Sequence, residues 1–142
     1  VLLVDDDENL LHALTRSLRR QPYQIFTARS GSEAIWVLKT NDVDVLVADE
    51  QMPGMSGSDL LAWAAKNYPD TMRIMLTGQA SATVAIRAIN EGKAYHFFTK
   101  PCDHVQLALM IRKAIEHRAL VRENQRLLAA NQEQLREFAH MK

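Results

Sequence analysis

The chain is expected to fold as an α/β domain, a doubly wound five-stranded parallel sheet followed by a long extended C-terminal helix. Short apolar runs alternate five times with segments whose apolar residues recur at helical spacing, which is the pattern of a parallel sheet covered by helices on both faces. Runs such as Val1–Val4 and Val43–Ala48 lack clean polar–apolar alternation, as strands buried on both sides should. From Asp103 onward the pattern is helical, with no Gly or Pro to stop it.

Val1–Val4 is the first strand and runs into Asp5-Asp6-Asp7. From Glu8 to Arg20, Leu10, Leu11, Leu14 and Leu18 repeat at helical spacing, and Pro22 stops the helix. Tyr23–Ala28 is the second strand, and Ser30-Gly31-Ser32-Glu33 opens a helix carrying Ala34, Ile35, Val37 and Leu38. The third strand, Val43–Ala48, ends at Asp49, and Pro53-Gly54-Met55-Ser56-Gly57 is loop. Ser58–Asn67 is helical, closed by Tyr68-Pro69-Asp70, and Met72–Leu76 is the fourth strand, ending at Thr77-Gly78. Ala82–Glu91 is a helix with Val84, Ile86, Ala88 and Ile89 inward, and Gly92 fits its C-cap. Ala94–Phe98 is the fifth strand, ending at Thr99-Lys100-Pro101. In the last helix, Leu107, Met110, Ile111, Ala114 and Ile115 are expected to cover the sheet.

The composition suits one compact domain plus an appendage: 142 residues, 47% hydrophobic and 24% charged. Seventeen basic residues balance seventeen acidic ones, which argues against a chain built to coat nucleic acid or an anionic membrane. No apolar run approaches the ~18 residues of a membrane span, and no signal-peptide pattern opens the chain. The single cysteine, Cys102, excludes an intrachain disulfide and suits a reducing cytoplasm. Val1 opens directly in an apolar run and Lys142 closes a helix without a stop signal, so a fragment of a longer protein is expected.

In parallel α/β sheets, ligands bind outside the carboxyl ends of the strands. Asp5 and Asp6 follow the first strand, Asp49 the third, Thr77 the fourth and Lys100 the fifth. A strand order of 2-1-3-4-5 would gather them at one edge. Crowded carboxylates repel each other and call for a cation, and oxygen-only ligands favour Mg²⁺. A metal-neutralised carboxylate can attack phosphorus and form an acyl phosphate. The Thr77 hydroxyl, the Gly78 N–H and the Lys100 ammonium are suited to phosphoryl oxygens.

LLVDDD, VADEQMPGMSG, MLTG and FFTKP, in this order and spacing, resemble the receiver domain of two-component response regulators. The resemblance covers roughly Val1 to His117 and implies a flavodoxin-like sheet. It implies Asp49 as phosphoacceptor and Asp5, Asp6, Asp49 and the Gln51 carbonyl around Mg²⁺, with Asp6 a direct ligand and Asp5 acting through water. Gln51, Gly78, Thr77 and Lys100 are then expected around the phosphoryl group. Thr77 would act as the switch hydroxyl, and Phe97, three residues before Lys100, as the rotating aromatic. Gly78 stands where alanine is more common, Asp7 extends the acidic pair, and Glu50, Gln51 and Gln79 occupy positions that tune phosphoryl lifetime in the family. The implied partner is a sensor histidine kinase or phosphotransfer protein, and the implied location is the cytoplasm.

Two other functions compete. An aspartyl-phosphate hydrolase of the haloacid dehalogenase type needs a second Asp two residues after the nucleophile, and Gln51 there cannot serve as general acid–base. A non-phosphorylated dimerisation scaffold would have no need of Asp49 or Lys100.

Beyond His117, Val121, Leu128 and Leu135 recur every seven residues, interleaved with Asn124, Asn131 and Phe138. This is a short heptad seam, although Leu120 and Leu127 allow another frame. Residues 1–117 are therefore expected to be the receiver, and 118–142 a coiled-coil linker that pairs in a parallel homodimer. Arg118, Arg122, Arg126 and Arg136 are expected on its solvated face. The stretch AINEGKAYHFFTKPCD before a long helix is similar to receivers placed ahead of HD-GYP cyclic-di-GMP phosphodiesterase domains, with Lys93 as a departure. That makes an output domain of this type the expectation, with DNA-binding and ATPase outputs open. The five histidines are scattered, and Cys102 is expected to be a quiet thiol.

Overall fold

The computed structural model describes residues 1–78, 82–91 and 93–140. Gln79 and the C-cap expected at Gly92 lie outside the described residues. Strands β1 (Leu2–Val4), β2 (Phe26–Ala28), β3 (Val45–Asp49), β4 (Met72–Thr77) and β5 (His96–Thr99) alternate with helices α1 (Glu8–Leu18), α2 (Gly31–Thr40), α3 (Gly57–Asn67), α4 (Ala82–Asn90) and α5 (His104–His140). All strand pairings are parallel, in the order β2-β1-β3-β4-β5.

Successive strand residues point to opposite faces, so each apolar run feeds two cores. Leu2, Val4, Leu46, Ala48 and Met75 pack beneath α2, α3 and α4, with Phe97 partly buried against them. Leu3, Val45, Val47, Ile74 and Leu76 pack beneath α1 and α5 through Leu11, Leu14, Leu18, Leu107 and Ile111. Side-chain oxygens satisfy backbone donors left open at the helix starts. The Asp7 carboxylate accepts from the N–H groups of Asn9 and Leu10, Ser30 caps α2 through Glu33, and Ser56 caps α3 through Asp59.

Two expectations are corrected. Val84 and Ile86 do not face inward: they are 37% and 51% exposed, while Ala85 and Ala88 are buried. Residues two apart on a helix lie on different faces, whereas Ala85, Ala88 and Ile89 follow the three- and four-residue spacing of one face. Nor is Arg118 part of a solvated face. It is 5% exposed, and its guanidinium donates to Asp44 Oδ1 and to Asp42 Oδ1 at 3.0 Å. Arg122 adds a longer contact to Asp42 at 3.4 Å. The first turn of α5 beyond His117 is thus tied to the segment entering β3. Further along, Leu120, Leu127, Leu128, Leu135 and Phe138 are all exposed.

Strand β2 is shorter than Tyr23–Ala28 because its ladder with β1 spans only Phe26–Ala28. Trp36 is exposed, whereas Trp63 packs on the core and tilts against Tyr68 at 5.7 Å between centroids.

Candidate functional site

The carboxyl ends of β1, β3, β4 and β5 meet at one edge of the sheet, and the polar residues at those ends meet with them. Asp5 continues β1, its N–H bonded to Ala28 O at 3.1 Å. Asp49 closes β3 opposite Leu76 of β4. Carboxylate oxygens of Asp5, Asp6 and Asp49 all lie within 4.8 Å of one another. Asp5 and Asp49 are buried and Asp6 is exposed. Lys100, immediately after β5, bridges the two buried carboxylates, with Nζ 2.8 Å from Asp5 Oδ2 and 3.2 Å from Asp49 Oδ1. The Lys100–Pro101 peptide bond is cis.

Burial pushes the Asp49 carboxyl above its ordinary value, and the neighbouring Asp5 charge adds to that. Lys100 and the Gln51 backbone N–H oppose the shift. At Lys100 burial favours the neutral amine, but Asp5 and Asp49 outweigh it and hold the ammonium pKa up. The site is therefore a crowd of carboxylates partly compensated by one cation. A consequence can be measured without any ligand. A folded-state pKa raised above the unfolded value means that ionised Asp49 disfavours folding, a penalty absent below the ordinary carboxylate range and growing as pH rises through the folded value. Asp49→Asn is therefore expected to melt at higher temperature than wild type at neutral pH in metal-free buffer. The difference should vanish in acid, as thermal scans at the two pH values would show.

Asp7 is separated from the cluster by its own role: its carboxylate caps α1, and its N–H donates to Asp5 Oδ1 at 2.9 Å. With Lys100 on Oδ2, both Asp5 oxygens carry protein partners. Thr77 is fully buried, its hydroxyl donating to Gly78 O at 3.1 Å. Phe97 lies on β5 opposite Met75, two residues before Thr99, the partner of Thr77. Gly78 adjoins this edge, and a Cβ there would meet nothing within 4 Å. Cys102 is half-buried, and burial raises its thiol pKa, which lowers the thiolate fraction.

Gly57 was not evident from sequence as a site residue. A Cβ there would lie 2.3 Å from the Asp49 carbonyl oxygen, so α3 starts directly against the backbone of the buried carboxylate. Its local sequence signal is its place at the end of VADEQMPGMSG, directly after the helix cap Ser56.

The response regulator receiver domain profile matches residues 1–112. The chain belongs to this family. A receiver is a signalling module rather than an enzyme in the usual sense, and its two-component context implies a histidine kinase partner. The chain is 34% identical over 130 residues to the C4-dicarboxylate transport transcriptional regulatory protein DctD of Rhizobium meliloti, covering 92% of this chain and 28% of that protein. It thus spans under a third of the length of this relative. Among solved structures it is similar to a chain of adenylate cyclase from Rhodopirellula baltica, at 36% identity and TM-score 0.86, covering 90% of this chain and 95% of that one. It is also similar to the signal receiver domain of an HD domain-containing protein from Pseudomonas fluorescens Pf-5, at 38% identity and TM-score 0.80, covering 86% and 90%.

The hard-oxygen donors Asp5, Asp6 and Asp49 of this receiver fit a Mg²⁺ site. Among the described residues no helix is long and apolar enough to cross a membrane.

Proposed function

We propose that this cytoplasmic receiver takes a phosphoryl group on Asp49 from a histidine kinase or phosphotransfer protein. The observation that carries the reading is the convergence of Asp5, Asp6, Asp49 and Lys100 at the ends of β1, β3 and β5. In the transfer, an Asp49 carboxylate oxygen forms a bond to phosphorus while the bond from phosphorus to the donor imidazole nitrogen breaks, and that nitrogen keeps the electron pair. Asp5, Asp6, Asp49 and the Gln51 carbonyl would hold Mg²⁺, which supplies charge neutralisation for the carboxylates and phosphoryl oxygens. Lys100, now shared between Asp5 and Asp49, is within reach to pair with the phosphoryl group once Asp49 carries it as an acyl phosphate.

Phosphorylation puts a phosphoryl group carrying about −1.5 to −2 charges in place of the single negative charge of the Asp49 carboxylate. The Thr77 hydroxyl would leave Gly78 O and donate to the phosphoryl oxygen, drawing the loop after β4 inward, and Phe97 would swing into the vacated space. The α4–β5 face then changes shape, which is a two-state element biased by local electrostatics. Beryllofluoride with Mg²⁺ is expected to shift the amide resonances of Asp49, Thr77, Phe97 and Lys100 in wild type and to leave those of Asp49→Asn in place. Unchanged wild-type spectra would favour the scaffold.

The helix beyond the receiver pairs with a second copy. With Val121, Leu128 and Leu135 at a, the charged residues Arg122, Glu123, Arg126, Glu133, Arg136 and Glu137 all fall at b, c or f, leaving one face uncharged along the helix. In a parallel, in-register pair Asn124 and Asn131 each meet their own copy. Leu128→Asp with Leu135→Asp is expected to turn a dimer into a monomer in sedimentation equilibrium, and a wild type that is already monomeric would refute the pairing. For the output we infer a domain of the HD-GYP cyclic-di-GMP phosphodiesterase type, supported by AINEGKAYHFFTKPCD and by the receiver of an HD domain-containing protein among the similar structures. The similarity to DctD favours a transcriptional output as the alternative.

A further inference from the structure

Glu50 follows the phosphoacceptor directly, and a fourth carboxylate in that crowd would add to its repulsion. Its side chain is engaged elsewhere. Glu50 Oε2 accepts from the Ser58 N–H at 2.8 Å and from the Ser58 hydroxyl at 2.6 Å. A carboxylate there complements the positive end of α3 and satisfies a donor that the helix leaves open. The main chain of the same residue is held on both sides. Its N–H donates to Leu76 O of β4 at 2.9 Å, and its carbonyl accepts from the Gly57 N–H at 3.0 Å.

Four hydrogen bonds therefore fix one residue between β4 and the first turn of α3, and Gly57 closes the corner from the other side with no room for a Cβ. The residue after this corner is Gln51, whose backbone N–H lowers the Asp49 carboxyl pKa. Any rotation at Glu50 moves that N–H and the Gln51 carbonyl with it.

We propose that Glu50 is a positioning residue: its grip on Ser58 sets the Gln51 main chain, and through it the orientation of Asp49 and of the carbonyl offered to the cation. The inference rests on the receiver reading of the site. The Glu50 carboxylate is turned toward α3 rather than the phosphoryl group, while the neighbouring Gln51 side chain is exposed.

The test is Mg²⁺ affinity by isothermal titration calorimetry for wild type, Glu50→Ala, Glu50→Gln and Ser58→Ala. Outer partners of metal ligands typically contribute about 10–100-fold in affinity. Glu50→Ala is expected to lose about tenfold. Glu50→Gln, which keeps an acceptor for the Ser58 N–H, should stay close to wild type, with Ser58→Ala between the two. If Glu50→Gln loses as much as Glu50→Ala, the charge of Glu50 is what matters, and positioning is overturned. Wild-type affinity in Glu50→Ala overturns it as well. A wild type that binds no Mg²⁺ removes the receiver reading of the site, and this inference with it.

Because Glu50→Ala also removes a helix cap, amide hydrogen exchange of the metal-free proteins provides a second reading. Exchange at Gln51 and Ser58 is expected to speed up in Glu50→Ala and to return in Glu50→Gln. Faster exchange confined to Ser58 would reduce Glu50 to a cap of α3 and overturn the proposal.

Discussion

Gly57→Ala is expected to destabilise the domain by about 3 kcal/mol, at the upper end of what overpacking usually costs, and to strip it of phosphoacceptor function. The added Cβ would sit 2.3 Å from the Asp49 carbonyl oxygen, 2.8 Å from the Asp49 carbonyl carbon and 2.8 Å from Glu50 Cα. All three obstacles are backbone, so no side-chain rotation relieves them. Either α3 retreats from the sheet, exposing Leu60, Leu61 and Ala64, or the end of β3 moves and takes Asp49 with it. Urea denaturation reads the first effect and phosphorylation of the folded fraction the second. A Gly57→Ala protein with wild-type stability and acceptor function would show that the close approach of α3 to Asp49 is not a requirement.

Arg118→Ala is expected to cost about 2 kcal/mol. Breaking a buried ion pair usually costs about 3–5 kcal/mol because one charge is stranded away from water. Here the buried member is the one removed, and the remaining carboxylates of Asp42 and Asp44 lie nearer the surface, where water screens them. The loss also includes packing of the arginine stem. The effect has a sign in pH. The hydrogen bond from Arg118 holds the Asp42 carboxyl below its usual range, against the opposing effect of burial. Its contribution is therefore fully present above the ordinary carboxylate pKa and is lost as pH falls through the depressed value. The gap between wild type and Arg118→Ala should be constant around neutrality and narrow only in acid, in urea titrations at the two pH values. Phosphorylation of Arg118→Ala should be unaffected, since the guanidinium lies at the opposite end of β3 from Asp49.

The strand ends and the site were legible because their signals are local. Each buried strand is a short apolar run, and Asp5, Asp49, Thr77 and Lys100 stand where those runs break. The sheet order then brought the acidic residues and Lys100 together as expected. Arg118 was misassigned because its charge outweighed its position: Leu107, Ile111, Ala114 and Arg118 follow the same helical spacing, and that spacing places all four on the buried face. Its partners Asp42 and Asp44 lie 76 and 74 residues away in the chain, which no local pattern encodes. Asp7 had a readable signal, a cap-forming residue directly before the helix with Glu8 in the first turn. Glu50 and Gly57 lie within VADEQMPGMSG, but their roles depend on how α3 lands on β3, a tertiary contact that the motif does not spell out.

The most direct measurement of the central claim is the intact mass of wild type and Asp49→Ala after incubation with acetyl phosphate, with and without Mg²⁺. A single added phosphoryl group in the wild type with Mg²⁺, absent from Asp49→Ala and from the Mg²⁺-free sample, is the predicted result. An adduct that persists in Asp49→Ala, or a wild type that takes up none, would contradict the assignment of Asp49 as phosphoacceptor.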